Sequence, residues 1–213
     1  MMMLKPQSQS ELKPKVKALY DAVLELLNEN ADVNTLTVSD ITKRAGIGKG
    51  TAYEYFECKE EIIAGAIIYD AQKQGNESWK RLEGIAGFED KIRYCFRWVV
   101  ECVQEQRAFA RFMFLSVHPG SVRDDVMKKM QSMHQECAKD GSMGPMSILR
   151  GLCEYGHEEG YIRPDFPTEA ATYLLLGSLT SLVMYLGKEN KSRDFEPEKM
   201  RENLCEGFLR AVR

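Results

Sequence analysis

Apolar residues recur at helical spacing along almost the whole chain. Residues 11–29 place Val16, Leu19, Tyr20, Val23, Leu24 and Leu27 on one helical face. After the linker ENADVNTL, the stretch TVSDITKRAGIGKGTAYEYFECKEEII (37–63) carries two short helical patterns. The first has Val38, Ile41 and Ala45, opens on Thr37, Ser39 and Asp40, and breaks at Gly46; the second restarts at Lys49 towards Tyr55 and Phe56. From Lys59 a long pattern continues through Ile62, Ile63, Ala66, Ile67 and Ala71 to Leu82, where Gly84 and Gly87 punctuate it. Ile92, Cys95, Phe96, Val99 and Val103 mark the next helix, and further helices are predicted over 107–117, 122–137 and 146–157. His118-Pro119-Gly120 and KDGSMGP separate these three. Residues 170–187 run 18 positions without a charge, and a last helix begins at Pro197 with Met200, Leu204, Phe208 and Ala211 on one stripe. No strand-like alternation of useful length appears. The predicted fold is all-α, an N-terminal three-helix unit followed by a larger helical body.

Two short helices joined by a glycine turn form the helix-turn-helix pattern, whose second helix can lie in a DNA major groove. A wheel at about 100° per residue sharpens it. With Ala52 as origin, Phe56 also points inward and Tyr55 sits at the margin, while Gly50 and Glu54 point outward, flanked by Thr51 and Tyr53. A small then a large inward residue suits a close helix crossing. An outward Tyr53 gains a purpose if its hydroxyl meets a phosphate oxygen. Lys49 and Lys59 bracket this surface, with Lys43 and Arg44 on the preceding helix, and the helix N-terminus adds amides that favour an anion.

This stretch resembles the DNA-binding signature of the TetR family of bacterial transcriptional regulators. Thr37, Ile41, Ala45, Gly46, Ile47, Gly50, Thr51, Tyr53, Tyr55, Phe56, Lys59 and Glu60 match its pattern in order and spacing. The resemblance covers 37–63; beyond it, the similarity lies in the number and lengths of helices. It implies a DNA-binding domain over residues 1–57 and a helical effector-binding and dimerisation domain over 58–213. It also implies that Gly50 and Thr51 approach base edges or nearby phosphates, and that Tyr53, Tyr55 and Lys59 fix the backbone. Thr37 and Lys49 complete the DNA-binding set. Glu54 falls at a variable recognition position, where a carboxylate either accepts from a cytosine amino group or faces solvent.

Two features depart from that pattern. Cys58 stands where a capping Ser, Thr or Asn is usual, and a thiol caps poorly. Residues 1–60 carry eight Lys/Arg against nine Asp/Glu. With a net charge of -3 for the whole chain, DNA contact requires a local basic patch. Lys13, Lys15 and Lys17 are either a solvated helix start or an arm that touches phosphates. GIGKGT lacks the first glycine, the Ser/Thr and the preceding strand of a phosphate-binding loop.

The chain's 213 residues, 44% apolar, suffice for one large domain or two unequal ones. Six dispersed cysteines and an N-terminus without a leader pattern suggest reduced thiols and a cytoplasmic protein. His134 and Cys137 have no second pair at metal-ligand spacing, so neither a metal nor a cofactor is expected. No nucleophile–base constellation suggests an enzyme.

Soft and aromatic side chains in the body, Trp79, Tyr94, Trp98, Phe112, Met113, Met130, Met146 and Tyr155, read as ordinary core or as the lining of a small-molecule pocket. The family resemblance favours a pocket, and an apolar or aromatic effector suits it. The charge-free helix over 170–187 just reaches membrane-spanning length, yet it carries Thr172, Ser178, Thr180 and Ser181 and lies within a helical array, so no membrane is expected. A helix apolar all round needs burial on two sides. Tyr173, Leu176, Gly177, Thr180, Ser181 and Met184, with Leu204 and Phe208 of the last helix, are expected to meet a second copy as an isologous four-helix interface. The sequence thus predicts a homodimeric, ligand-responsive regulator that binds double-stranded DNA, a repressor released from a pseudo-palindromic operator by its effector. A ligand-binding or protein-interaction dimer without DNA binding is the alternative.

Overall fold

The computed structural model describes residues 12–105, 110, 124–139, 145–187 and 196–213. Most of the helix expected over 107–117, the break at His118-Pro119-Gly120, and the predicted pocket residues Phe112 and Met113 lie outside the described residues, as do the side chains of His134 and Cys137. Among the described residues the regular elements are all helices: α1 (Pro14–Asn28), α2 (Val38–Ala45), α3 (Lys49–Tyr53), α4 (Lys59–Glu83), α5 (Phe88–Gln104), α6 (Asp124–Lys139), α7 (Pro145–Glu158), α8 (Thr168–Leu186) and α9 (Pro197–Val212).

Local chemistry sets the boundaries that matter for the site. Thr37 and Asp40 form a reciprocal capping box at the start of α2: the Asp40 amide donates to Thr37 Oγ1 at 3.2 Å and the Thr37 amide donates to Asp40 Oδ2 at 3.0 Å. Gly46, at φ 65°, ends α2 in the left-handed conformation that makes the sharp turn. Cys58 contributes no side-chain cap to α4. The Glu61 carboxylate instead accepts from the Glu57 amide at 2.9 Å, and Lys59 Nζ donates to the carbonyls of Asn34 (3.1 Å) and Leu36 (2.9 Å).

Three apolar cores follow. The first joins α1, α2 and α3 to the opening turns of α4, through Ile67, and includes Val126 of α6. The second packs α5, α7, α8 and α9 around Phe88, Phe96, Leu175 and Phe208. The third brings Trp79 and Leu82 of α4 against Cys95 of α5 and Ile148 and Leu152 of α7. With 25 residues, α4 is roughly 37 Å long and runs from the first core to the third. Tyr20 of α1 lies so close to α4 at Gly65 that any side chain there would overlap its ring.

By length and composition α8 could cross a membrane, with a third of its apolar window buried. It packs instead on α5, α7 and α9 through Ala171, Leu175, Leu182, Val183 and Leu186.

Candidate nucleic-acid interface and the body behind it

The second helix of the helix-turn-helix is held by two inward residues. Ala52 is fully buried, and Phe56 packs on the Tyr20 ring with centroids 5.7 Å apart. Lys49, Gly50 and Glu54 are therefore exposed, Thr51 is half-exposed, and Tyr53 is 51% exposed, high for a tyrosine with no packing role. The wheel placed Gly50, Thr51, Tyr53 and Glu54 as observed. Tyr55 lies half-buried beneath Lys13, whose Nζ sits 5.3 Å from the ring centroid. That contact holds the start of α1 against the helix-turn-helix. Thr37 is committed to the capping box at the start of α2.

The cations divide into two groups. Arg44 grips Glu29 through both terminal nitrogens, at 2.8 and 2.6 Å, and reaches Glu25 at 3.4 Å. This guanidinium holds the Glu29 carboxyl below the usual carboxylate range. Lys17 pairs with Asp21 at 2.5 Å. Lys59 is placed otherwise than the expected phosphate contact: its ammonium is turned into the domain and donates to the carbonyls of Asn34 and Leu36. Lys15, Lys43 and Lys49 remain exposed. The near-neutral count over residues 1–60 thus hides internal pairing of Arg44 with two of the acidic residues.

The aromatic and methionine residues of the body do not form one wall. Trp79 is buried in the third core with Tyr94 packed against it, Trp98 and Tyr155 pack on the second, and Met130 packs on the first. Met146 is half-buried at the start of α7. A surface groove of about 440 Å³, lined by Glu154, His157, Phe166 and Thr168 among others, contains none of them. Helical spacing located apolar faces without showing which core each face enters.

Polar groups inside the body were less visible in the sequence. Lys91 of α5 is buried, donates to the Leu82 carbonyl, and sits 5.3 Å from the Tyr155 ring centroid. Burial pushes its pKa down, offset in part by Glu159 and Glu83. Trp79 Nε1 donates to Glu83 at 3.1 Å. Among the described residues the buried hydroxyls of Ser78 and Tyr94 meet no hydrogen-bond partner. Burial raises the thiol of Cys95 to about 12 and those of Cys153 and Cys205 to about 11, so all three are protonated and inert near neutral pH. Among the described residues no group of three or more His, Cys, Asp or Glu side chains could hold a metal ion.

On α8 an exposed stripe runs through Tyr173 (60% exposed), Leu174, Gly177, Ser181 and Met184. Leu176 and Thr180 are half-buried, Leu176 against the second core. The expectation for Phe208 is corrected: it is 1% exposed within the chain's own core, because α9 is rotated so that Arg201, Cys205, Phe208, Leu209 and Val212 face inward. Leu204 is half-buried beside them, and the outward small residues of α9 are Gly207 and Ala211.

A glycine-turn helix pair that presents its second helix to solvent, carried on a helical body with an uncovered apolar stripe, defines a DNA-binding transcriptional regulator. Residues 19–66 match the family described as bacterial regulatory proteins, tetR family. This N-terminal segment of the chain carries the DNA-binding domain of that family. The chain is 24% identical over 174 residues to the fatty acid metabolism regulator protein of Bacillus subtilis strain 168, covering 80% of this chain and 82% of that one. Its fold is shared with the fatty acid degradation regulator FadR from Bacillus halodurans (TM-score 0.72, 18% identity, 94% of this chain and 97% of that one). It is shared also with FadR from Bacillus subtilis in complex with stearoyl-CoA (TM-score 0.70, 18% identity, 92% and 99%).

Proposed function

We propose that this ligand-responsive DNA-binding regulator is a homodimeric repressor of fatty acid metabolism genes, released from a pseudo-palindromic operator by a long-chain acyl thioester. The observation that carries the DNA-binding part is the outward presentation of Gly50, Tyr53 and Glu54 on a helix anchored by Ala52 and Phe56. The acyl-thioester part is supported by the Bacillus subtilis relative, which regulates fatty acid metabolism, and by the shared fold of a regulator that binds stearoyl-CoA. Such an effector fits the expectation of an apolar ligand.

Residues 1–57 read the operator in this scheme, with Lys49, Gly50, Thr51, Tyr53 and Tyr55 towards DNA. Residues 58–213 hold the effector and the partner, and α4 connects the two. The stripe of Tyr173, Leu174, Gly177, Ser181 and Met184 meets its copy across a two-fold axis. The relatives are transcriptional regulators rather than enzymes, and the protein works in the cytoplasm, where its DNA and acyl thioesters are.

The test is selection of bound sequences from random DNA, followed by titration of the selected operator with and without stearoyl-CoA. Tight operator binding that weakens with the acyl thioester supports the proposal. Absence of any saturable DNA binding would favour a dimer that no longer reads DNA, a reading to which the internal pairing of Arg44 and Lys59 lends some weight.

A further inference from the structure

Most acidic side chains of the DNA-binding module have a partner inside it. Glu25 and Glu29 hold Arg44, Asp21 pairs with Lys17, and Asp40 closes the capping box on Thr37. Asp32 accepts from the Asn34 amide and Glu61 from that of Glu57. The Glu54 carboxylate differs: it is exposed and meets no hydrogen-bond or ion-pair partner among the described residues. It shares the outward side of α3 with Gly50, one turn earlier, and with the exposed Tyr53. The Glu57 carboxylate, also unpaired, lies beyond α3 in the turn to α4.

Gly50 is a glycine that the fold does not need. It sits within α3 without a positive φ, and a methyl group there would meet no atom within 4 Å. Gly65 is the contrast, since a side chain there would overlap the Tyr20 ring. Glycine weakens a helix relative to alanine, and α3 has only five residues. What offsets that weakness therefore lies outside the chain: a bare position lets another surface come close to the helix backbone.

The base edges of a major groove differ in what they offer a carboxylate, which only accepts hydrogen bonds. Guanine presents two acceptors and thymine one, and adenine sets its amino donor beside the N7 acceptor. Cytosine presents its N4 amino donor with no acceptor beside it on the same base. A carboxylate carried to the groove floor thus selects cytosine, whereas one left near the phosphates only repels them.

We propose that Glu54 reads the N4 amino group of one cytosine in each operator half-site, and that Gly50 is bare so that α3 comes close enough for this contact. The inference rests on the DNA-binding reading above and adds to it one base and the residue that selects it.

The experiment selects bound sequences from random DNA with the full native chain, Glu54→Ala and Glu54→Gln, and then measures affinities for single-base variants of the native operator. At one position per half-site the native protein is expected to prefer cytosine by roughly five- to hundredfold over each other base. Glu54→Ala should accept all four bases there and keep every other preference. Glu54→Gln, which sets a donor beside the acceptor, should move that preference towards adenine. Both variants should keep the native thermal midpoint, because the side chain has no partner to lose. Retention of the native base preferences in Glu54→Ala, with a uniform gain in affinity for every sequence, overturns the assignment and makes Glu54 a solvent-facing charge. Gly50→Ala is expected to match or exceed the native thermal midpoint while losing roughly fivefold or more in operator affinity; unchanged affinity overturns the role given to Gly50. Absence of saturable DNA binding by the native protein overturns the DNA-binding reading itself, an outcome distinct from the other two.

Discussion

Arg44 and Lys59 are cations that the DNA-binding module uses on itself. Arg44 ties α2 to Glu25 and Glu29 of α1, and Lys59 ties α4 to the loop carbonyls of Asn34 and Leu36. Lys49 is exposed at the start of α3. The two lysines are therefore expected to respond differently when replaced. Lys49→Met should reduce the salt dependence of operator binding by about one unit of log–log slope. Lys59→Met should lower the unfolding midpoint and leave the slope nearly native; equal slope changes in the two variants would contradict this division. Acid titration probes the same scale. Hydrogen bonds from Thr37 hold the Asp40 carboxyl below its ordinary 3.8, and Arg44 holds that of Glu29 below 4.5. Each group binds its proton more readily in the unfolded chain. Its contribution is fully present above the ordinary carboxylate values and is lost as pH falls through the lower folded values. Glu29→Gln should therefore flatten the fall in thermal midpoint as pH drops below the ordinary carboxylate range, and Thr37→Ala should cost about 1 kcal/mol at neutral pH.

At the scale of elements, the crossing of α1 and α4 is the most exacting contact. Tyr20 lies against α4 where Gly65 has no side chain. Gly65→Ala is expected to destabilise the protein by about 1–3 kcal/mol through overpacking, with partial recovery when Tyr20→Phe removes the nearest atom. An unchanged denaturation midpoint in Gly65→Ala would show that α1 can shift freely. Elements were legible in the sequence where apolar and polar residues contrast sharply. The polar helix start at Thr37, the glycine turn and the inward pair Ala52 and Phe56 all lie in such a stretch, and each is found as read; that Thr37 and Asp40 close a reciprocal capping box is added by the structure. On α8 the contrast vanishes, because a helix apolar all round gives no clue to which side faces the core. Leu174 was missed there, and Leu176, expected at the interface, is half-buried against the second core. On α9 a buried Arg201 lies beside Cys205 on the core face, and an arginine does not announce burial. Phe208 was consequently taken for an interface residue. The Lys59 contact was hidden for another reason: its partners are backbone carbonyls 25 and 23 residues away, which no periodicity records.

For the whole molecule, α4 is the piece that both halves share. Its first turns are built into the DNA-binding core, and its last turn is held by Lys91, which donates to the Leu82 carbonyl from α5. A ligand that contacts α4 between these two anchors would alter how the DNA-binding module is carried, and in a dimer that changes the spacing of two recognition helices. A coupling of about 1–3 kcal/mol gives a roughly 5- to 150-fold change in operator affinity. The scheme needs two copies. Gly177→Arg, placed in the exposed stripe of α8, should yield a monomer by sedimentation and abolish tight operator binding while leaving helical content intact; a dimer that persists would put the interface elsewhere. The proposed regulation is tested most directly by the affinity of the native protein for its selected operator, measured by fluorescence anisotropy with and without saturating stearoyl-CoA. The expected result is a fall of roughly 5- to 150-fold on adding the acyl thioester. An operator affinity that stays unchanged while stearoyl-CoA binds saturably would contradict it.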